Sequence, residues 1–173
     1  GMEGLNSIMI SNSTLSSTIT KATASDPVAD GVIIYQSTSG DAESTTGERA
    51  LFQATDSTLS STIESGALFY VTNTSADVVL SNTTLDFDSS AANLLLAAGN
   101  DSNNWGSAGS NGATLNFTGI GETMSGAIQA DTISQANVYL LDSTNWTGAA
   151  SIVDNANAPS TKDDNLTINV DAT

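Results

Sequence analysis

The heptapeptide STLSSTI occupies residues 13–19 and returns without change at residues 57–63, 44 positions later. A second pair, residues 124–127 and 146–149, places a bulky residue before a hydroxyl residue, Gly and Ala, at a spacing of 22. Because 44 is twice 22, the sequence predicts a repeating unit of about 22 residues, with the two heptapeptides two units apart. Periods of about 20 to 50 residues are typical of stacked repeat architectures.

Short apolar or alternating runs recur along the whole chain and are bounded by Ser, Asn, Asp and Gly. Such runs are rich in β-branched and aromatic residues, which is typical of short strands separated by turns. Helices are disfavoured, since strong helix formers such as Glu, Gln, Lys and Arg are scarce. The predicted strands are Ile8–Ile10, Val32–Tyr35, Leu51–Phe52, Leu68–Val71, Val78–Leu80, Leu85–Phe87, Leu94–Leu96, Leu115–Phe117, Val138–Leu141 and Leu166–Val170.

One segment leaves a helix open as an alternative. Residues 89–98 contain Ala-Ala-Asn-Leu-Leu-Leu-Ala-Ala, which could form two or three helical turns. A buried strand at Leu94–Leu96 agrees better with the repeat. We therefore favour the strand.

Two or three short strands per unit of about 22 residues predict an all-β fold, a right-handed parallel β-helix. Each coil of such a β-solenoid buries its inner face by stacking on its neighbours. Aliphatic residues would point inward, and Asn and Gly would form the corners, because they tolerate left-handed backbone. We expect residues 1–173 to form a single β-solenoid domain of six to seven coils, a segment of a longer surface protein.

Four segments interrupt the rhythm and are predicted to be loops that protrude from the stack: residues 23–30, 37–48, 99–112 and 154–164. Much of the charge, including Glu43, Glu48, Asp101 and Lys162, lies in these segments, with Arg49 beside them. Binding chemistry is commonly placed on loops that a rigid scaffold positions.

The charge balance excludes some partners. The chain has 19 acidic residues against three Lys and Arg, a net charge of −16, so it lacks a basic patch for nucleic acid or anionic lipid. No apolar run approaches the about 18 residues of a membrane span, so we expect no direct membrane insertion. A surface covered by Ser, Thr, Asn and Gly is typical of extracellular proteins.

The segments Gly112–Phe117, Met124–Asp131 and Val138–Gly148 resemble the parallel β-helix regions of bacterial autotransporter passengers and adhesin-like surface proteins, including pectate-lyase-like repeats. The resemblance spans the whole chain. It implies a secreted or cell-surface bacterial protein, a structural and interaction module whose partners are host or cell-surface glycans or proteins. It implies no catalytic residue, because one coil architecture serves adhesins, stalks and sugar-active enzymes alike.

The residue inventory argues against an enzyme. The chain has no His and no Cys, so the usual general base, nucleophilic thiol and transition-metal ligands are missing. We predict no cofactor. The alternative is a carbohydrate-binding or polysaccharide-active β-helix, for which Asp86 with Asp88, or Asp163 with Asp164, would supply the two carboxylates that glycosidases use.

Three kinds of binding residue remain as hypotheses. Trp105, in the loop 99–112, is the candidate ligand-binding residue, since an exposed indole stacks on sugar rings; an anchoring role for its loop is the alternative. Trp146 is predicted to be a core residue. The sequence has no metal-binding motif, although carboxylates in 26–30 or 154–164 leave a structural calcium open. Thr pairs at 18–20 and 72–74, with Thr167, suggest an ice-binding hydroxyl array only faintly.

Overall fold

The structure is a computed structural model that describes residues 1–19, 29–37, 47–100, 105–158 and 160–171. These ranges contain seventeen β-strands and no helix. The strands recur in the order first sheet, second sheet, third face, and each pairing between neighbouring strands of the described residues is parallel. The chain is therefore an all-β parallel β-helix.

The first and second sheets each contain six strands, one from each of six coils. The first sheet contains β1 (Met2–Glu3), β4 (Val32–Tyr35), β7 (Ala67–Thr72), β10 (Asn93–Ala97), β13 (Ile128–Asp131) and β16 (Ala150–Val153). The second contains β2 (Ser7–Ser11), β5 (Ala50–Thr55), β8 (Ser75–Ser81), β11 (Thr114–Ile120), β14 (Gln135–Leu141) and β17 (Leu166–Val170). The third face is divided between β3 (Thr14–Thr18), β6 (Thr58–Thr62) and β9 (Thr84–Asp86), and β12 (Thr123–Ser125) with β15 (Asn145–Thr147).

The register confirms the short unit and corrects one inference from the repeat. Met124 pairs with Trp146, so the spacing of 22 is one coil, as predicted. Thr14 pairs directly with Thr58, so the two heptapeptides, 44 positions apart, also lie one coil apart and not two. The distance between the two heptapeptides is long because two of the predicted loops lie between them. Residues 23–30 fall between β3 and β4, and residues 37–48 fall between β4 and β5.

The core is a continuous column of inward side chains. Period-two alternation puts Phe52, Phe69 and Phe117 inside, where they are essentially inaccessible to solvent. Phe69 contacts Phe52 and Phe117 edge to face, with ring centroids 5.7 and 5.8 Å apart. These contacts join the first sheet to the second across three coils, which is how a coil that cannot bury its own inner face is stabilised by its neighbours.

The corner between the second sheet and the third face is built from left-handed residues, as predicted. Asn12, Asp56, Asn82, Gly121 and Asp142 occupy it in five successive coils, with φ between 46° and 62°. Asn, Asp and Gly are the residues that adopt this conformation at least cost. The first four of these corners have two residues between their strands, and the fifth has three, with Ser143 also left-handed at φ 60°.

The predicted strands are confirmed, including Leu94–Leu96, which lies within β10 and is not helical. The sequence missed seven strands, β1, β3, β6, β12, β13, β15 and β16. The loop predictions at 23–30, 37–48 and 99–112 fall partly outside the described residues. Within residues 105–112 and 154–164 the described positions form no strand.

The two ends of the stack leave inward-facing aliphatic side chains accessible. Ile8 and Leu15 line an apolar cavity of about 310 Å³ at the first coil. Ile152 and Val170, at the last coil, are 53% and 67% exposed although their partners in the preceding coil are buried. Among the described residues, the sheets close the core on its sides and leave these end side chains accessible.

Candidate functional site

The described residues of the loop that carries Trp105, 99–100 and 105–112, lie against the outer face of the first sheet. Outward residues of that sheet are normally solvated, but Tyr70 and Thr72 on β7 are buried. Both side chains contact the start of the loop: the Tyr70 hydroxyl donates to the carbonyl of Gly99 at 2.8 Å, and Asn100 Nδ2 donates to Thr72 Oγ1 at 2.6 Å. The loop is thereby fixed to the rigid sheet.

Trp105 is held at both its main-chain groups. Its N–H donates to Asn100 Oδ1 at 2.9 Å, and its carbonyl accepts from Asn111 Nδ2 at 2.9 Å. Gly106 follows in left-handed backbone at φ 69°, and a Cβ there would lie 2.6 Å from Asn73 Oδ1. Glycine at position 106 fits both the left-handed backbone and the close contact with Asn73, so the position of the Trp105 indole depends on Gly106.

The indole stacks on Tyr35. The ring centroids are 4.3 Å apart and the planes differ by 21°. Tyr35 points outward because it follows the inward Ile34 on β4, and it is half-buried like Trp105. We call Tyr35 and Trp105 the aromatic pair. One face of each ring is occupied by the other ring, so a ligand could contact only the remaining accessible ring surface.

A carboxylate borders the aromatic pair. Glu3 pairs in register with Tyr35, and its Oε1 accepts from the Ser37 main-chain N–H at 3.3 Å and from the Ser37 hydroxyl. Partial burial first, and then the charge and hydrogen bond of Glu3, hold the pKa of Tyr35 above its usual range. An aromatic surface with an adjoining carboxylate and amides is an arrangement that suits polyhydroxylated ligands.

Trp105 is a candidate from the sequence alone, whereas its companions Tyr35 and Glu3 are not. Side chains alternate along a strand, so an inward Ile34 in the run Val32–Tyr35 implies an outward Tyr35. Nothing in the sequence places residue 105 above residue 35, because that contact depends on the path of a long loop.

Trp146 lies on β15, half-buried and packed against the hydrophobic core, as predicted. Its Nε1 donates to the carbonyl of Gly126 at 2.9 Å in the preceding coil. The close approach of the two coils needs glycine at position 148, since a Cβ there would lie 2.1 Å from the Gly126 carbonyl oxygen. Trp146 is therefore a structural residue of the third face.

The carboxylate pairs predicted for glycosidase chemistry stand on open surface. Asp86 and Asp88 share the outer side of the third face, alternating with inward Leu85 and Phe87, as their spacing predicts. The Ser90 hydroxyl and main-chain N–H hold the pKa of Asp88 below its usual value. Asp163 and Asp164 are exposed. In the described part of the chain, none of these four carboxylates lies in an enclosed cleft.

The described residues offer no group of three or more His, Cys, Asp or Glu placed to hold a metal ion. Most of the calcium candidate 26–30 lies outside the described residues, and Asp30, which is described, is buried and accepts the Ala67 N–H at 2.8 Å. In the hydroxyl rows, Thr72 and Thr74 are buried, and Thr20 lies outside the described residues. The 72–74 pair therefore cannot form an exposed array.

No family model, curated protein or solved structure matches this chain. Among the described residues, no helix has the length and apolarity needed to cross a membrane.

Proposed function

We propose that this chain is a non-enzymatic, adhesin-like structural and interaction module of a secreted or cell-surface bacterial protein. The observation that supports the proposal is the unbroken parallel ladder from β2 to β17. Neighbouring strands are about 4.8 Å apart, so the five steps span about 24 Å of ordered core. A body of this kind presents fixed side faces over its whole length.

The polar chemistry of the sequence supports a binding role over a catalytic one. The chain lacks His and Cys, and its acidic side chains outnumber its basic ones 19 to 3. A hydrolase would instead need two carboxylates at a common cleft with different pKa values. Neither predicted Asp pair has such a cleft in the described part of the chain.

The test is binding without turnover. The purified chain, coupled to beads, is presented to a glycan array and to mucin and extracellular-matrix proteins. Retention on a subset of these surfaces, with no release of reducing ends from the bound polysaccharides, is expected. Reducing ends released by the wild type but not by Asp86→Asn or Asp163→Asn would overturn the non-enzymatic proposal, and failure to bind any surface would overturn the adhesive one.

The aromatic pair favours carbohydrate binding as the second candidate function. Its loop is fixed by four hydrogen bonds, so little conformational entropy would be lost when a sugar contacts the accessible ring surface. Trp105→Ala is expected to abolish glycan retention, and Tyr35→Ala to weaken it. Tyr139→Ala is the matched control, because Tyr139 is a half-buried outward tyrosine on the second sheet. Equal loss in all three variants would exclude the aromatic pair.

A further inference from the structure

One inward polar residue from each of five coils stacks at the corner between the second sheet and the third face. We call these residues the corner ladder: Ser13, Ser57, Thr83, Glu122 and Thr144. The Ser13 N–H donates to Ser57 Oγ at 3.1 Å, the Thr83 N–H to Glu122 Oε1 at 2.7 Å, and the Glu122 N–H to Thr144 Oγ1 at 2.9 Å. A main-chain donor on one coil is thus satisfied by a side-chain oxygen on the next.

The hydroxyl members of the corner ladder also act as donors. Ser57 Oγ donates to the Thr55 carbonyl at 2.8 Å, and Thr83 Oγ1 donates to the Ser81 carbonyl at 3.1 Å. Thr144 Oγ1 donates to the Leu141 carbonyl at 2.6 Å. Each of these hydroxyls donates its O–H to a carbonyl of its own coil, and its oxygen can still accept an N–H from the neighbouring coil. A hydroxyl can do both, whereas an ionised carboxylate has no proton to donate.

Glu122 occupies the fourth position of the corner ladder with a different side chain. Its residue is only 2% exposed, and its Oε2 is buried without a hydrogen-bond partner in the described part of the chain. Ser57 and Thr83 donate to the carbonyl two residues before them. The carbonyl at that position relative to Glu122 is that of Ile120, which accepts the Asn82 N–H at 3.1 Å. A protonated carboxyl has the O–H that the other members possess, whereas an ionised one would be a buried charge with a single N–H donor.

The groups that surround Glu122 favour the neutral form. A Cβ on Gly119 would lie 3.0 Å from Met124 Cε, 3.3 Å from Thr144 Cγ2 and 3.4 Å from Glu122 Cγ, so these three side chains meet at one point. The charged groups at the same corner are also carboxylates: Asp142 on the adjoining coil and Asp56 two coils away. Within the described ranges the ion pair of Arg49 belongs to Asp77, at the opposite end of the second-sheet strands.

We infer that Glu122 is held in the folded protein as a neutral carboxylic acid, and that its ionisation loosens the contact between the third and fourth coils as the solution becomes less acidic. Burial, only partly offset by the Thr83 hydrogen bond, raises the pKa of Glu122 above its usual value, in agreement with the geometry. The corner ladder is then a pH-sensitive device that is tightest in acid.

The direct test is a carboxyl titration by NMR on the full chain labelled with ¹³C at Glu Cδ. The chain has five Glu residues, so the spectrum is simple, and Glu122→Gln identifies the resonance of Glu122 by its disappearance. A midpoint for Glu122 clearly above those of exposed Glu48 and Glu64 is expected. A midpoint equal to theirs, or below, would overturn the inference.

A second measurement tests the coupling to the coil contact. Amide exchange at Thr83 is followed between pH 4 and 8 after correction for intrinsic exchange rates. Protection in the wild type should fall with rising pH, by at most about tenfold per pH unit, because one proton is involved. Glu122→Gln keeps an acceptor for the Thr83 N–H and should show a clearly smaller fall in protection with pH, because only the contribution of Glu122 is removed. Equal slopes in the two proteins would contradict the inference, and the titration remains decisive if the variant does not fold.

Discussion

Arg49 and Asp77 join the second coil to the third, with the Arg49 Nε 2.8 Å from Asp77 Oδ1. The same guanidinium donates through Nη2 to the carbonyls of Ala76 at 2.7 Å and Thr114 at 2.8 Å. One side chain therefore connects three coils at the N-terminal ends of their second-sheet strands. Arg provides several donors in a fixed planar arrangement, which Lys lacks.

We expect Arg49→Met to lower the free energy of unfolding by about 1 to 3 kcal/mol, with much of the loss from the two carbonyl hydrogen bonds. The ion pair itself is partly exposed and contributes less, since water screens it. Urea denaturation at neutral pH measures the change. Arg49→Lys should recover only part of the stability, and Lys162→Met, at an exposed position, is the control. Full recovery by Lys would show that charge alone matters here.

Gly66 and Gly47 provide a matched pair of glycines with almost the same backbone, φ 82° and 83°. A Cβ at Gly66 would lie 2.2 Å from the Ala29 carbonyl oxygen, whereas one at Gly47 would meet nothing within 4 Å. Gly47→Ala should cost about 1 kcal/mol, the strain of left-handed backbone alone. Gly66→Ala should cost at least about 2 kcal/mol more, because a main-chain atom must move.

Thermal and urea denaturation of the two alanine variants measure this difference directly. Similar losses of stability in both would mean that the contact between Gly66 and Ala29 relaxes freely. That result would show the coil at this corner to be less rigid than its geometry indicates.

Asp30 makes the stability of the fold depend on pH. Burial, partly offset by the hydrogen bond from the Ala67 N–H, raises the pKa of Asp30 from 3.8 to about 6. The unfolded chain loses this proton first, so the stabilising effect of the neutral acid is complete below pH 3.8 and is lost as the pH rises to about 6. The maximum loss corresponds to roughly 3 kcal/mol.

Asp30→Asn keeps an acceptor for Ala67 and has no charge to bury, so its advantage over the wild type should grow between pH 4 and 6.5 and then remain constant. Unfolding measured in urea across this range tests the prediction. Asp88→Asn is the control of opposite sign: the pKa of Asp88 is lowered, so the wild-type carboxylate stabilises at higher pH and this contribution disappears as the pH falls. A constant difference between Asp30→Asn and the wild type would refute the prediction for Asp30.

The sequence was sufficient for the fold class because inward and outward positions alternate in most strands of the first two sheets. It missed three strands of the first sheet and four of the five strands of the third face, where β3 and β6 read Thr-Leu-Ser-Ser-Thr and a single Leu supplies the apolar signal. It also misjudged how many coils separate the heptapeptides. One coil enlarged by two loops happens to be twice the length of the shortest coil, and no local pattern distinguishes these cases.

The candidate site was predictable only in part, for the same physical reason. An exposed-loop tryptophan can be selected from its surroundings in sequence, but its partner is decided by long-range packing. Likewise the buried acids Asp30 and Glu122 lie between strands and Asp131 is the last residue of β13, positions where solvation of an acid is the usual expectation. Their burial follows from the coil above, which is distant in sequence.

The stack between Trp105 and Tyr35 predicts a local effect that global stability will not show. Tyr35→Leu removes the ring that covers one face of the indole, while the main-chain hydrogen bonds of Trp105 to Asn100 and Asn111 remain. An aromatic pair contributes about 0.5 to 1.5 kcal/mol beyond the burial of its area, so the loop should loosen without unfolding the sheet.

Fluorescence in a Trp146→Phe background reports on Trp105 alone, because the chain has two tryptophans. Tyr35→Leu should shift the Trp105 emission to longer wavelength and increase its quenching by acrylamide, with the urea midpoint nearly unchanged. Thr118→Leu, on the outer side of the second sheet, should leave both optical signals as they are. If Tyr35→Leu changed neither signal, the indole would be fixed by its loop alone, and the aromatic pair would not be a unit that a ligand could recognise.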